Sequence, residues 1–600
     1  MMQRCLYLLK TYLLTVLFLV IAKIGFMWYN AAGHDFSSSD ITAVLWHGLT
    51  LDLSTALYIL IIPFLAVVAS IFLGTPKWLR VLLTTYFAVI ALALALAFVA
   101  DTCLYAFWQF KLDASCLQYL ETPTEAMASV SAGWLLLRAL AILLLAALFF
   151  VCYTRPRFNM TASRHPVLES LAALACIPFI VIGIRGGLDE STTNIGQVYY
   201  SQNQFLNHAA VNPVFSFLSS FEKTASNIVD YSFYGDDECR QLTDGLYPTD
   251  SVATDTLLNT TRPDVLVILM ESAGEVVAPY MPCLQQLKRE GISFDSCYAN
   301  SWRTDRGTVC TYSGYPSFPT SSVMKMPIKT HLLPGLAATL QREGYATHYL
   351  YGGDINFTNM RSYLIAGGFQ ELTWKDDYTI EEQGTSKWGV RDDITFNTLM
   401  HLATTMQSPW LIGFSTLSSH EPWDAPVRQY DDTVANSFYY LDQCLSHFIA
   451  QLKKTPRWDS LLVVILPDHS IDYGPYTEMD KERNRIPMVW VGGAVRQPRR
   501  ITAYCNQTDL VATLLAQMHL SHRQFRWSRD VLSSTYRYPF AVHNFNNGFS
   551  VIDSTGFVVY DLDSRRIMVD ESSDASRLER MGKAILQATT ADLKAIGTNN

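Results

Sequence analysis

Val265-Leu-Val-Ile-Leu-Met-Glu-Ser272 and Leu461-Leu-Val-Val-Ile-Leu-Pro-Asp-His469 decide how this chain is read. Each opens with six aliphatic or thioether side chains and no polar alternation. A strand of that kind is buried on both faces, the condition of a parallel sheet covered by helices. Each run then ends on acid: Glu271-Ser272 after the first, Asp468-His469 after the second. In open α/β sheets ligands bind outside the carboxyl ends of the strands, so both tails are expected on one functional edge.

Working outward, Ser293–Tyr298, Ala346–Tyr351, Trp410–Phe414 and Pro487–Val491 read as further strands. Pro282–Glu290, Gly335–Glu343 and Ser437–Leu452 have helical spacing between them. That alternation predicts an α/β domain with a mostly parallel sheet flanked by helices. Three of the added strands also end on chemistry-bearing residues. These are Ser301-Trp-Arg-Thr-Asp-Arg-Gly307, Gly352-Gly-Asp354 with Arg361 beyond it, and Ser418-Ser-His-Glu-Pro-Trp423. After Asn544 a strand pair (Ser550–Ile552, Phe557–Tyr560) and a helix near Arg577–Gln587 are expected to pack on the sheet domain.

The first third of the chain has a different texture. Hydrophobic residues make up 50% of the 600 and charged residues 16%, well below the roughly 25% charged of a typical soluble protein. Through Arg185 there are 11 Lys/Arg against 8 Asp/Glu, and beyond it 34 against 46. The net charge of −9 also excludes a nucleic-acid binder, which needs a basic face. Five windows reach the ~20 apolar residues of a membrane span: Leu8–Tyr29, Leu49–Leu73, Trp78–Phe107, Trp134–Tyr153 and Val167–Ile184.

Arg4 with Lys10, Lys77 with Arg80, and Arg155, Arg157 and Arg164 occupy alternate loops. The opposite loops hold Asp35 and Asp40, then Lys111 with Asp113, Glu121 and Glu125. The positive-inside rule then puts the N-terminus inside, and five crossings put everything after Gly187 outside. Lys23, Asp52, Asp101 and Arg138 interrupt the apolar windows near their outer ends, where pairing, snorkelling or a lipid-headgroup role are the alternatives. The expected division is 1–186 membrane, 187–262 linker, 263–545 sheet domain and 546–600 C-terminal unit. Within the linker, Val211-Asn-Pro-Val-Phe-Ser-Phe-Leu218 reads as an interfacial amphipathic helix.

Glu271, Asp468 and His469 form a mixed oxygen and nitrogen donor set suited to Mn²⁺, Mg²⁺ or Zn²⁺. Thr304 precedes a short helix. Its hydroxyl needs a metal or base to become a nucleophile, and the helix start offers N–H groups to an anion. Thr308 and Thr311 are its competitors. His420 and Arg361 are candidates to hold or protonate a phosphate.

Five N-terminal helices followed by Leu269-Met-Glu-Ser272, Arg303-Thr-Asp-Arg-Gly307, Ser418-Ser-His-Glu-Pro422, Pro467-Asp-His469 and Gln507-Thr-Asp-Leu510 together resemble the lipoteichoic acid synthase family. These are membrane-anchored phosphoglycerol transferases of the alkaline phosphatase/sulfatase superfamily. The resemblance implies a sulfatase-like extracytoplasmic domain on a multi-pass bacterial cytoplasmic membrane protein. It implies Thr304 as nucleophile, with Glu271, Asp468, His469 and Thr304 around one divalent metal, often Mn²⁺. His420, Arg361 and Asp354 would contact substrate. The donor would be a phosphatidylglycerol-like phospholipid and the acceptor a hydroxyl on a glycolipid or glycan. Two departures fall at the headgroup pocket: Gly352-Gly353 where a His-Gly pair is common, and Asn359 where a tryptophan is common.

Other functions are compatible with parts of this pattern. A sulfatase would need a Cys/Ser-x-Pro-x-Arg motif, whereas Cys310-Thr-Tyr-Ser-Gly314 has neither the proline nor the arginine. A phosphoethanolamine transferase shares the threonine and metal chemistry but brings extra zinc ligands. A phosphodiesterase would use water as acceptor, and a non-catalytic receptor would keep the cleft alone. Cys239, Cys283, Cys297, Cys310, Cys444 and Cys505 lie in the expected outer part, where disulfides are permitted but pairing is not readable.

Overall fold

In the computed structural model, residues 1–32, 34–108, 111–112, 132–189, 191–201, 203–225, 228–248, 253–546 and 548–597 are described. They divide into two units, Met1–Ser226 and Asn227–Asn600.

The first unit holds five helices long and apolar enough to cross a membrane: α1 (Met2–Tyr29), α2 (Ser38–Leu73), α3 (Lys77–Trp108), α4 (Ala132–Thr154) and α5 (Pro166–Arg185). Their ends follow local rules. Ser37 and Asp40 close a capping box at the start of α2, and Gly186, at φ 94°, terminates α5 in the left-handed region. Two shorter helices belong to the same unit, α6 (Gln204–Ala210) and α7 (Pro213–Ala225). The helix expected at Val211–Leu218 is therefore α7, starting at Pro213 with Asn212 ahead of it.

Of the four charges within the apolar windows, three are buried and paired. Lys23 meets Asp52, whose second oxygen accepts from Asn212 Nδ2 at 3.2 Å. Asp101 accepts from Lys111 Nζ at 2.5 Å and from the Leu112 N–H at 2.9 Å. Arg138 is more open, donating to the Tyr29 hydroxyl at 2.6 Å with its guanidinium over Trp134. Asp113, Glu121 and Glu125, which entered the orientation argument, lie outside the described residues.

The second unit is built on an eight-stranded sheet. Its strands are β1 (Asp264–Met270), β2 (Ile292–Phe294), β4 (Ala346–Tyr351), β5 (Glu371–Thr373), β6 (Trp410–Ser415), β7 (Leu461–Pro467), β8 (Val489–Val491) and β9 (Arg499–Ile501), in the order β5-β4-β6-β1-β7-β8-β2-β9. β5, β4, β6, β1 and β7 are mutually parallel, and β8 runs antiparallel to both neighbours. The two aliphatic runs are adjacent central strands, and every residue of both is buried.

Successive side chains feed opposite layers. Val265, Val267 and Leu269 join Leu462, Val464 and Leu466 in a core with Leu336, Leu340, Leu510 and Leu514. Leu266, Ile268 and Met270 join Leu461, Val463 and Ile465 against Leu284, Phe396, Leu441 and Phe448. Two covered faces explain why neither run alternates.

The stretch Ser293–Tyr298 is two strands, not one. β2 ends at Phe294, and β3 (Cys297–Tyr298) pairs in parallel with β10 (Cys505–Asn506) as a separate two-stranded ribbon. The C-terminal strand pair is likewise the middle of a four-stranded antiparallel sheet: β11 (Phe540–Phe545), β12 (Gly548–Asp553), β13 (Gly556–Asp561) and β14 (Arg566–Ser572). The helix Ala575–Ala595 packs Leu578 and Ile585 into the same core as β12 and β13.

Candidate active site

The register of the central strands pairs Met270 with Pro467, so the residues that follow, Glu271 and Asp468, leave the sheet side by side. Ser272 turns the chain at φ 59°, a left-handed conformation uncommon outside glycine and often found at functional sites. The turn aims the Ser272 N–H at Asp468 Oδ1 (2.9 Å) and its hydroxyl at Glu271 Oε1 (2.9 Å). The His469 N–H also donates to Asp468 Oδ1 at 2.9 Å. His469 Nδ1 lies 3.0 Å from the Ser470 carbonyl, which only accepts, so Nδ1 carries the proton and Nε2 is the nitrogen turned to the acids. Nε2 is 3.6 Å from both Glu271 Oε1 and Asp468 Oδ2.

One donor atom from each of Glu271, Asp468 and His469 lies within 4.8 Å of the others. Asp468 Oδ2 is buried and meets no hydrogen-bond donor among the described residues. An anionic oxygen in that position is costly unless something positive faces it. The donor set and the orphaned oxygen fit a divalent cation.

The three groups also shift one another's protonation. Burial alone would raise the Glu271 carboxyl, but the His469 imidazole, with His420, holds it well below the usual range. Burial and the Glu271 charge together push Asp468 up. Burial would lower His469, yet the two carboxylates beside it win and raise it.

Thr304 opens the helix Thr304–Ser313. Its hydroxyl donates to Glu271 at 3.2 Å (Oε2) and 3.4 Å (Oε1). Gly307 makes that approach feasible: a Cβ there would sit 2.0 Å from the Asp468 carbonyl oxygen. Gln507 braces the same junction, its Nε2 donating to Pro467 O and Asp468 O, both at 2.9 Å, and to Thr311 Oγ1 at 3.1 Å. Thr308 and Thr311 are fully buried and donate back within their own helix, to Thr304 O and Gly307 O. Of these three threonines, Thr304 is the one whose hydroxyl meets the acids.

The loop after β6 is tied to the trio from behind. Thr416 Oγ1 accepts from the Glu271 N–H (3.0 Å), and Ser419 Oγ donates to the Glu271 carbonyl (2.7 Å). The buried carboxylate of Asp392 accepts from the N–H groups of Leu417 and Ser418 at 2.8 and 3.0 Å. His420 follows, with Nδ1 2.8 Å from the Glu421 carbonyl and its ring 4.5 Å from that of Trp388.

Asp354 and Arg361 form a second group. Asp354 Oδ1 accepts from the Asn356 backbone and side chain. Arg361 lies over Trp374 at 5.8 Å in the field of Asp376, Asp377 and Asp354, and its burial lowers the guanidinium pKa. Tyr351 sits in the field of Glu271, Asp354 and Asp468 alike, and burial with those acids pushes its phenol well above the ordinary range.

Gly352 and Asn359, where the resemblance expects other residues, each have a defined local setting. A Cβ at Gly352 would meet Val390 O at 2.5 Å, leaving no room for an imidazole. Asn359 is buried at φ 70°, and its side-chain amide donates to the Met324 carbonyl at 3.0 Å.

Residues 263–520 match the Sulfatase family. The chain resembles lipoteichoic acid synthases: it is 24% identical to lipoteichoic acid synthase 2 of Bacillus subtilis (strain 168) over 307 residues, 46% of each chain. It is also 24% identical to the lipoteichoic acid synthase of Staphylococcus aureus (strain USA300) over 140 residues, 22% of each. The chain thus spans less than half the length of these relatives. A protein in the alkaline phosphatase superfamily from Vibrio parahaemolyticus shares the fold, with a TM-score of 0.52 and 24% identity, covering 62% of this chain and 98% of that one.

The motifs pointed to Thr304, Glu271, Asp468, His469 and His420. Sequence reasoning missed Ser272, Asp392, Trp388, Ser419 and Gln507 as contributors. Only Gln507 and the two serines stood inside motifs that carried a signal.

Proposed function

We propose that this chain is a membrane-anchored phosphoglycerol transferase that moves a phospho-headgroup from a phosphatidylglycerol-like lipid to a hydroxyl on a glycolipid or glycan. The observation that carries the reading is the Thr304 hydroxyl on the Glu271 carboxylate, beside an acid–imidazole set with an orphaned oxygen. Glu271, Asp468 and His469 would hold one divalent metal, Mn²⁺ by resemblance, with Mg²⁺ and Zn²⁺ as alternatives. When bound it supplies Lewis acidity, which lowers the hydroxyl pKa and offsets phosphate charge.

The rest of the chemistry belongs to the side chains. Thr304 Oγ, its proton given up to solvent, attacks phosphorus as the bond to the diacylglycerol oxygen breaks, leaving a glycerophosphoryl group on the threonine. An acceptor hydroxyl then attacks the same phosphorus and releases Thr304, whose oxygen takes a proton back from solvent. His420 stands to protonate the departing oxygen and to take the proton of the acceptor. Arg361 and Asp354 would meet the phosphate and the glycerol hydroxyls. The sheet domain would lie on the outer face of the cytoplasmic membrane, with the N-terminus inside. Cys310, the nearest counterpart of a sulfatase nucleophile, is fully buried and donates to Asn300 Oδ1, which favours the threonine chemistry.

Mass spectrometry of the Thr304 peptide tests this after incubation with Mn²⁺ and phosphatidylglycerol, using a non-tryptic digest because Arg303 and Arg306 flank the residue. A glycerophosphoryl gain on Thr304 with diacylglycerol release is expected. A phosphoethanolamine gain from mixed lipids would change the donor, an adduct on Thr308 would move the nucleophile, and no adduct with no diacylglycerol would end the reading.

A further inference from the structure

The ribbon of β3 and β10 places Cys297 directly opposite Cys505 in a parallel register. In-register residues of neighbouring strands project from the same face, with backbones about 4.8 Å apart. That spacing falls inside the range of about 4.4–6.8 Å that a disulfide spans between Cα atoms. Both residues are fully buried, and both are free thiols in this structure. The other cysteines of this unit have different neighbours. Cys239 donates to Ala584 O and Cys310 to Asn300 Oδ1, Cys283 lies by Asp442 and Ser446, and Cys444 by Asp392 and Tyr440.

We propose that Cys297 and Cys505 are joined by a disulfide in the mature protein. The two thiols lose two protons and two electrons. The electron pair passes to the disulfide of an extracytoplasmic dithiol oxidase, first as a mixed disulfide on one cysteine, which the second sulfur displaces. Because both sulfurs are buried in the folded domain, the exchange takes place before the ribbon closes, and later reductants cannot reach the bond.

The position gives the bridge a purpose. β3 leads into Ala299-Asn300-Ser301-Trp302-Arg303 and so to Thr304. β10 leads through Asn506, which donates to Tyr298 O at 3.1 Å, to Gln507, the clamp on Asp468. One covalent bond would tie together the segments that present the hydroxyl and brace the acids. It would also close a long loop of chain, which restricts the unfolded state. The proposal goes beyond the transferase reading and shares with it only the placement of this unit outside the membrane.

Full-length protein is extracted in detergent, unfolded in guanidinium with maleimide present so that buried thiols are reached, and digested without reduction. The peptides holding Cys297 and Cys505 are expected as one linked species, two hydrogens lighter than their sum and separating on reduction. Maleimide on both cysteines overturns the proposal. Refolding the denatured chain in oxidised glutathione tells why: continued failure to bridge condemns the geometry, and bridging only there condemns the compartment. Cys297→Ala, Cys505→Ala and the double variant should each lower Tm by the same several degrees, and additive losses would contradict a single shared bond. The mapping on the unmodified protein stands even if a variant fails to fold. Lipid turnover is read separately, so an inactive enzyme with an intact bridge still supports the disulfide, and an active one with free thiols refutes it.

Discussion

Lys23 and Asp52 in the helical unit, and Glu271 and Asp468 at the sheet edge, are all buried ionisable groups, yet their surroundings differ in one respect. In the helical unit Asp52 has its lysine, with Asn212 on the remaining oxygen, and Asp101 has Lys111 with the Leu112 N–H. At the sheet edge two carboxylates share one imidazole, and Asp468 Oδ2 is left without a donor. Desolvating an ion costs several kcal/mol, which a good partner offsets. A closed pair therefore accounts for itself, whereas the open cluster retains an attraction for something positive. Charge in an apolar setting does not mark a function. Charge that its neighbours leave uncompensated does.

The sharpest break in this comparison comes at the hydroxyl beside the open cluster. Thr304→Ala should lower kcat by at least about 10³-fold while leaving thermal stability within about 1 kcal/mol. Thr308→Ala, four residues along the same helix, should do the reverse. It removes a buried hydroxyl bonded to Thr304 O, costing about 1 kcal/mol, with most turnover kept. An inactive Thr308→Ala with an active Thr304→Ala would show that the nucleophile has been misassigned. The second test is the response to metal. Mn²⁺ at a hundredfold excess over its Kd should stabilise the protein by about 2.7 kcal/mol, and Asp468→Asn should abolish that shift in a thermal melt. A shift unchanged in Asp468→Asn would place the ion elsewhere.

The closed pair should behave differently. Lys23→Met leaves Asp52 buried without its cation and should cost about 3–5 kcal/mol, read as loss of heat-resistant protein in detergent. Adding Asp52→Leu should recover most of that loss, because the pair disappears as a unit. No such recovery is available at the open cluster, where neutralising both acids removes the metal site. A double variant as unstable as Lys23→Met alone would show that the pair has a role its mutual attraction does not explain.

The sheet was legible because β1 and β7 are central and covered on both faces, which leaves an unbroken aliphatic signature. β5 (Glu371–Thr373) and β9 (Arg499–Ile501) were not, since three-residue strands at the sheet's edges carry charged, exposed side chains. β14 escaped for the same reason, its residues being half-buried or exposed throughout. At the site, residue types at strand ends named the acids, but choosing among Thr304, Thr308 and Thr311 required knowing where the helix begins. Contacts between distant segments left no trace. Asp392 lies at the start of the helix Asp392–Thr405, before the β6 strand whose following loop it holds.

Asp392 also supplies the most discriminating test. It is as buried as Asp468 and meets no lysine or arginine among the described residues, yet its surroundings suit an anion, because each oxygen receives a backbone N–H. Burial pushes its carboxyl up to about 6, with those N–H groups pulling the other way. The folded pKa thus exceeds the ordinary 3.8. The unfolded chain gives up its proton first as pH rises, while the folded chain keeps it until about pH 6. The stability this residue contributes is fully present below the unfolded pKa, falls between about pH 4 and 6, and is level above. Against Asp392→Asn, which does not titrate, the native protein should lose up to about 3 kcal/mol across that window in denaturant melts at a series of pH values. A level difference would mean that the N–H groups hold Asp392 ionised at its ordinary pKa, and two backbone donors would then suffice to compensate a buried carboxylate. Asp468 Oδ1 also receives two N–H groups, from Ser272 and His469, so that outcome would leave the orphaned Oδ2 as the whole of the difference between an acid that is merely buried and one that calls for a cation.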